Sequence, residues 1–160
     1  MYFPDCPEDI IYRYQDMVYR IAFTYCRNTS DAQDIAQEVF FRYINKMPQL
    51  KSEEHLKAWL IRVTLNVAKS LSTSSWSTKV VPISEHDPIA TDEHANTDIY
   101  YAVLSLPEKY RTVVMLYYYE DYSINEISQI LDRTVTAIQT QLQRARAMLK
   151  NKLKEEWSND

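Results

Sequence analysis

The chain has 160 residues, of which 46% are hydrophobic, with no glycine, six prolines and a net charge of −4. That length suits one ordinary domain or two small ones, and a glycine-free composition argues against phosphate-cradling loops and tight β hairpins, leaving helices joined by polar turns. The net negative charge argues against indiscriminate nucleic-acid binding, and no apolar run approaches the roughly 20 residues of a membrane span, so no membrane insertion is expected.

The N-terminus, Met1-Tyr2-Phe3-Pro4-Asp5, lacks the basic residues and apolar stretch of a signal peptide. Residues 8–27 read as an amphipathic helix, with Ile10, Tyr14, Met17, Ile21 and Tyr25 recurring at three- and four-residue steps. Cys6 and Cys26 form neither a metal-type pair nor a disulfide framework and read as ordinary thiols of a cytoplasmic protein. Asn28-Thr29-Ser30-Asp31 breaks the pattern, and Ser30 or Asp31 is the expected cap of a second helix carrying Ile35, Val39, Phe40 and Tyr43. Met47-Pro48 should end that helix, because proline disfavours helix in the residue before it. Ser52-Glu53-Glu54-His55 opens a third, with Leu56, Leu60, Val63 and Val67 expected on its buried face.

Residues 72–98 are rich in Ser, Thr and acid, contain Pro82 and Pro88, and read as a flexible linker between two domains. His86 and His94 flank acidic residues there, but without a third soft ligand they do not read as a metal site. From Ile99 a helical pattern resumes, with Ile99, Val103 and Leu106 forming a short apolar stripe. Leu106-Pro107-Glu108 starts the next helix, which should run to about Tyr119. Ser123 and Glu126 have the spacing of a capping box for a short helix through Leu131, and Thr134 can cap a long last helix reaching about Glu155.

Those last two helices, joined by a turn of about three residues, have the spacing of a helix-turn-helix. On the second, Val135, Ile138, Leu142, Ala145 and Leu149 should face the core. Arg133, Thr136, Thr140, Gln143, Arg144 and Ala147 would then face outward, with Gln139 at the margin. Such a helix fits a DNA major groove, where Gln and Arg read base edges, while Thr134 and Thr136 sit where the helix N-terminus favours a phosphate.

Charge sorting agrees with this reading. Residues 72–98 carry the whole excess of acid, while the parts on either side are each neutral. From Arg133 to Lys154 there are six basic residues and no acidic one, and His55 to Ser84 holds four lysines or arginines, also without acid. No nucleophile–base pair, metal spacing or phosphate loop suggests an enzyme, and no cofactor is implied.

Three blocks resemble a known family. Leu106-Pro107-Glu108-Lys109-Tyr110-Arg111, Tyr122-Ser123-Ile124-Asn125-Glu126-Ile127-Ser128 and Gln143-Arg144-Ala145-Arg146-Ala147-Met148-Leu149 resemble the C-terminal DNA-binding domain of bacterial sigma factors of the small extracytoplasmic-function group. Asp31-Ala32-Gln33-Asp34-Ile35-Ala36-Gln37-Glu38-Val39-Phe40 is similar to that family's polymerase-binding segment. Leu56-Lys57-Ala58-Trp59-Leu60-Ile61-Arg62-Val63, with Asn66, resembles its promoter-melting segment.

The resemblance implies an all-α fold of two small helical domains, 1–71 and 99–160, joined by the 72–98 linker, the second domain being a helix-turn-helix. It implies a transcription initiation factor that binds core RNA polymerase at the beta-prime clamp helices and the beta subunit and directs it to promoter DNA. Asp34, Gln37, Glu38 and Phe41 would form the docking surface. Lys51, Arg62, Asn66 and Lys69 would bind the melted minus-ten strand, and Thr134, Thr136, Gln139, Thr140, Gln143 and Arg144 the minus-thirty-five duplex. Trp59 reads as a core anchor in preference to a stacking platform. An anti-sigma factor is a further implied partner. Other readings of the same residues are a degenerate sigma-like regulator that binds polymerase without productive initiation, and a stand-alone helix-turn-helix repressor.

Three departures stand out. Positions 139 and 141, often basic in the family, are glutamines, and a run of arginines after the third helix is replaced by Ser70-Leu71-Ser72-Thr73-Ser74-Ser75-Trp76. Each lost phosphate contact should flatten the salt dependence of DNA binding by about one unit. Asp132 occupies a turn position often held by glycine.

Overall fold

A computed structural model describes residues 6–46, 48–72 and 97–158. Most of the expected linker, with His86, His94 and Trp76, lies outside the described residues, as does Met47. The described residues form helices and turns without strands, and the chain divides into two compact units, Met1–Ile83 and Ser84–Asp160.

The first unit is a three-helix bundle of α1 (Pro7–Cys26), α2 (Thr29–Lys46) and α3 (Glu53–Ser72), each packed on the other two. Pro7 enters α1 in its first turn, where its missing N–H costs nothing. Arg27 ends α1 in the left-handed region (φ 56°), its N–H donating to the Phe23 carbonyl at 2.7 Å. The cap of α2 is Asn28 and not Ser30 or Asp31: its Oδ1 accepts from the Asp31 N–H at 3.0 Å, so the helix begins two residues earlier than the Ser/Asp pair suggested. Ser52 caps α3 as expected, accepting from the His55 N–H at 3.1 Å.

The core of this unit is built from Ile10, Val18, Phe23, Ile35, Leu56, Leu60 and Ile61, all almost fully buried. Each such side chain contributes roughly 1.5–3 kcal/mol on burial. Val63, expected inside, is half-buried. Ile61, Thr64 and Ala68 take the interior instead, because α3 packs on both α1 and α2 and so buries a wider arc than one stripe. Thr64 is tolerated there because its hydroxyl donates to the Leu60 carbonyl at 2.6 Å.

The second unit comprises α4 (Thr97–Leu104), α5 (Glu108–Val114), a π-helical turn (Met115–Tyr119), α6 (Ile124–Leu131) and α7 (Val135–Ser158). The long α7 packs against α4, α5 and α6. Ile99, expected on the apolar stripe, is 40% exposed, while Tyr100, Ala102, Val103 and Leu104 are buried. Arg111 is buried and donates from Nη1 to the carbonyls of Leu104 (3.3 Å) and Leu106 (3.0 Å), holding the α4–α5 turn closed. The helix from Glu108 reaches Tyr119 as expected, but its last turn widens: the Glu120 N–H donates to the Met115 carbonyl at 3.1 Å, five residues back.

Candidate nucleic-acid and polymerase interfaces

On α2 the four expected docking residues share one outward face. Asp34 and Gln37 are exposed, Glu38 is half-exposed, and Phe41 is 61% exposed. Spacing of three and four residues places them along one side, opposite the buried Ile35, Val39 and Tyr43. Ile44 extends the strip and is 45% exposed, so a large apolar pair lies in water beside the acidic residues. Sequence reading missed Ile44, although its three-residue offset from Phe41 was a usable signal. Glu38 is paired with Arg42, whose Nε lies 3.0 Å from Oε1 one turn on.

On α3, Arg62, Asn66 and Lys69 are all exposed at helical spacing, and Lys51 is exposed in the preceding turn, its backbone N–H donating to His55 Nδ1 at 3.2 Å. Trp59 is half-buried, its ring packed edge-on against buried Tyr43 with centroids 5.9 Å apart. Its remaining exposed edge lies one turn before Arg62 on the same flank.

The helix-turn-helix is built by local chemistry. Ser123 Oγ accepts from the Glu126 N–H at 3.1 Å, and the Glu126 carboxylate accepts from the Ser123 N–H at 3.0 Å, completing the capping box. Asp132 takes the left-handed conformation at the end of α6 (φ 53°, ψ 52°), so the missing glycine does not change the turn. Thr134 Oγ1 accepts from the Ala137 N–H at 3.1 Å and caps α7.

Ile138, Leu142 and Ala145 of α7 are fully buried, as expected. Val135 is not: it is 37% exposed, flanked in the first turn of α7 by exposed Thr134 and Thr136. Leu149 is half-buried, not enclosed. Thr134, Thr136, Gln139, Gln143 and Arg144 are exposed, whereas Thr140 is half-buried.

Two groups of cations and tyrosines lie along the basic end of α7. Arg146 Nε donates to the Tyr118 hydroxyl at 2.7 Å, and its guanidinium lies 5.7 Å from the ring centroids of both Tyr117 and Tyr118. The neighbouring Arg144 guanidinium holds the Tyr110 phenol below its usual value, aided by the charge of Lys109, whose Nζ lies 5.0 Å from the ring centroid. At helical spacing the consecutive Tyr117, Tyr118 and Tyr119 read most simply as helix core plus amphipathic rim. Tyr118 is 49% exposed and Tyr119 stacks edge-on against Tyr100, which agrees, but the pairing with Arg146 was not legible.

Among the described residues no group of three His, Cys, Asp or Glu side chains could hold a metal ion, and no helix is long and apolar enough to cross a membrane. The arrangement defines a class: a helical protein of two units, one ending in a helix-turn-helix whose exposed face is polar and then basic, the other carrying separate acidic–apolar and basic strips. The sequence matches the family described as Sigma-70 region 2 over residues 10–78 and Sigma-70, region 4 over residues 97–149. The chain therefore belongs to the sigma-70 family of RNA polymerase sigma factors, in its extracytoplasmic-function group, whose members direct transcription initiation.

Among its relatives, it is 29% identical over 170 residues to the ECF RNA polymerase sigma factor SigW of Bacillus subtilis, covering 94% of this chain and 90% of that protein. The RNA polymerase sigma factor SigV of the same organism is 26% identical over 141 residues, covering 86% of this chain and 85% of SigV. The fold is that of the sigma factor RpoE of Bartonella quintana, solved in complex with the anti-sigma factor NepR, with a TM-score of 0.75 at 18% identity over 92% of this chain and 96% of that one. CnrH, solved with the cytosolic domain of CnrY, gives 0.67 at 20% identity over 93% and 88%.

Proposed function

We propose that this sigma factor works in the cytoplasm in three parts: residues 1–71 bind core polymerase and the minus-ten element, 72–98 span between domains, and 99–160 bind the minus-thirty-five duplex. The α2 strip of Asp34, Gln37, Glu38 and Phe41 docks on the beta-prime clamp helices, Phe41 supplying an apolar anchor within an acidic rim. Lys51, Arg62, Asn66 and Lys69 form the basic track for the melted minus-ten strand, neutralising its phosphates and helping to capture an unstacked base. Unstacking a base costs a few kcal/mol, which such contacts must offset. The polymerase supplies the chemistry, and the sigma factor supplies recognition.

Thr134 and Thr136 at the start of α7 meet a phosphate, Gln139, Thr140 and Gln143 face base edges, and Arg144 adds backbone attraction. An anti-sigma protein that covers these strips is the expected regulator, a reading supported by RpoE of Bartonella quintana, solved in complex with the anti-sigma factor NepR.

The observation that carries this reading is the ordered pair of matched regions, each on its own helical unit and each unit exposing a polar or basic strip at helical spacing. A stand-alone repressor would have no use for the region 2 unit. The test is transcription by purified core polymerase on genomic fragments with this chain added. Specific transcripts that appear only with the chain support the proposal. Binding to core without transcripts points to the degenerate regulator.

A further inference from the structure

The three glutamines of α7 have different environments. Gln141 is half-buried and accepts from Arg133 Nη1 at 3.3 Å, so its amide is occupied by the protein. Gln139 and Gln143 are exposed and make no side-chain hydrogen bond among the described residues. They stand one helical turn apart on an exposed flank beside the buried row of Ile138, Leu142 and Ala145, in a stretch that carries no charge between Arg133 and Arg144. Each of these exposed amides is thus neutral and free to act as donor and acceptor together.

A primary amide has a definite complement in the major groove. Its N–H can donate to adenine N7 while its oxygen accepts from adenine N6–H. Guanine offers two acceptors, N7 and O6, and would set the amide oxygen against an acceptor, whereas arginine or lysine matches that pattern. We propose that Gln139 and Gln143 are the specificity-determining residues of the upstream duplex contact and that each reads an adenine. This inference rests on the reading of α7 as the minus-thirty-five-binding helix. The two positions are separated by about 6 Å along the helix axis. Successive base pairs rise about 3.4 Å, so the two adenines lie within about two base-pair steps of each other.

The test uses holoenzyme reconstituted from the full chain and core polymerase, challenged with promoter duplexes randomised across the upstream element. The wild-type protein should enrich two A·T pairs within about two steps. Gln139→Ala should flatten the preference at one of them and Gln143→Ala at the other, each by about 5- to 150-fold, the 1–3 kcal/mol of a good bidentate pair. The slope of affinity against salt should not change, because a neutral amide releases no counterion. Gln143→Arg should move the preference at its position from adenine to guanine, a gain that no loss of folding can imitate. If the wild type enriches an upstream sequence and both alanine variants keep the same preference, the assignment is overturned while the duplex-binding reading stands. If the wild type enriches no upstream sequence, both are overturned.

Discussion

The Arg146 guanidinium donates to the Tyr118 hydroxyl at 2.7 Å, joining α7 to the π-helical turn across 28 residues of sequence. The hydrogen bond pushes the arginine's pKa upward, and the neighbouring Tyr117 ring packs edge-on against Tyr118 with centroids 4.8 Å apart. Because the group is exposed, solvent screens most of this attraction. A double-mutant cycle with Tyr118→Phe and Arg146→Met should give a coupling of about 0.5–1 kcal/mol in denaturant unfolding. A coupling indistinguishable from zero would mean that the contact contributes nothing to holding α7.

The bundle of the first unit should lose stability in alkali through one residue. Tyr14 donates to Glu53 Oε1 at 2.8 Å, and burial, then the hydrogen bond and charge of Glu53, push its phenol up to about 12. A raised folded-state value means the fold favours the protonated phenol. That contribution is complete below the ordinary tyrosine value near 10 and is lost as pH rises from there to about 12. Unfolding midpoints measured across that window should fall more steeply for the wild type than for Tyr14→Phe. Equal slopes would refute the assignment to Tyr14.

Turn chemistry in the helix-turn-helix should be directly measurable. Ser123→Ala removes half of the capping box and should destabilise the second unit by about 1 kcal/mol. Asp132→Val places a β-branched residue at φ 53° and should cost about 1–2 kcal/mol. Thermal unfolding reads both, and an Asp132→Val protein as stable as the parent would contradict the left-handed turn.

Much of the fold was legible because caps and periodicity are local. Ser52, Ser123, Thr134 and the left-handed Asp132 all act as their side chains suggest. The errors fell where tertiary packing overrides local pattern. Val63, Ile99 and Val135 lie on ideal stripes, yet the neighbouring helices cover different arcs and leave them half-buried or exposed. The π-helical turn depends on a backbone register that periodicity does not encode. At the interfaces, α-helical spacing found the outward strips on α2, α3 and α7. It could not find the Arg146–Tyr118 pairing, which joins residues far apart in sequence.

Phe41 offers a separation of binding from folding. A phenylalanine 61% exposed contributes little to the core, so Phe41→Ala should change stability by no more than about 0.5 kcal/mol. Its loss from an interface should weaken core polymerase binding by about 30-fold, the scale of a buried aromatic anchor. Charge reversal at Asp34 and Glu38 should weaken the same binding. Variants that fold normally and co-purify with core as the parent does would remove α2 from the docking surface.

The central claim is that the exposed strips of two separate helical units serve one polymerase at one promoter. The most direct measurement is transcription from a promoter recognised by this chain, using purified core with either wild-type protein or Arg144→Ala, while core association is followed in the same tubes. The account predicts that Arg144→Ala stays bound to core but initiates weakly, because only the upstream duplex contact is impaired. Undiminished initiation, or loss of core binding together with initiation, would contradict it.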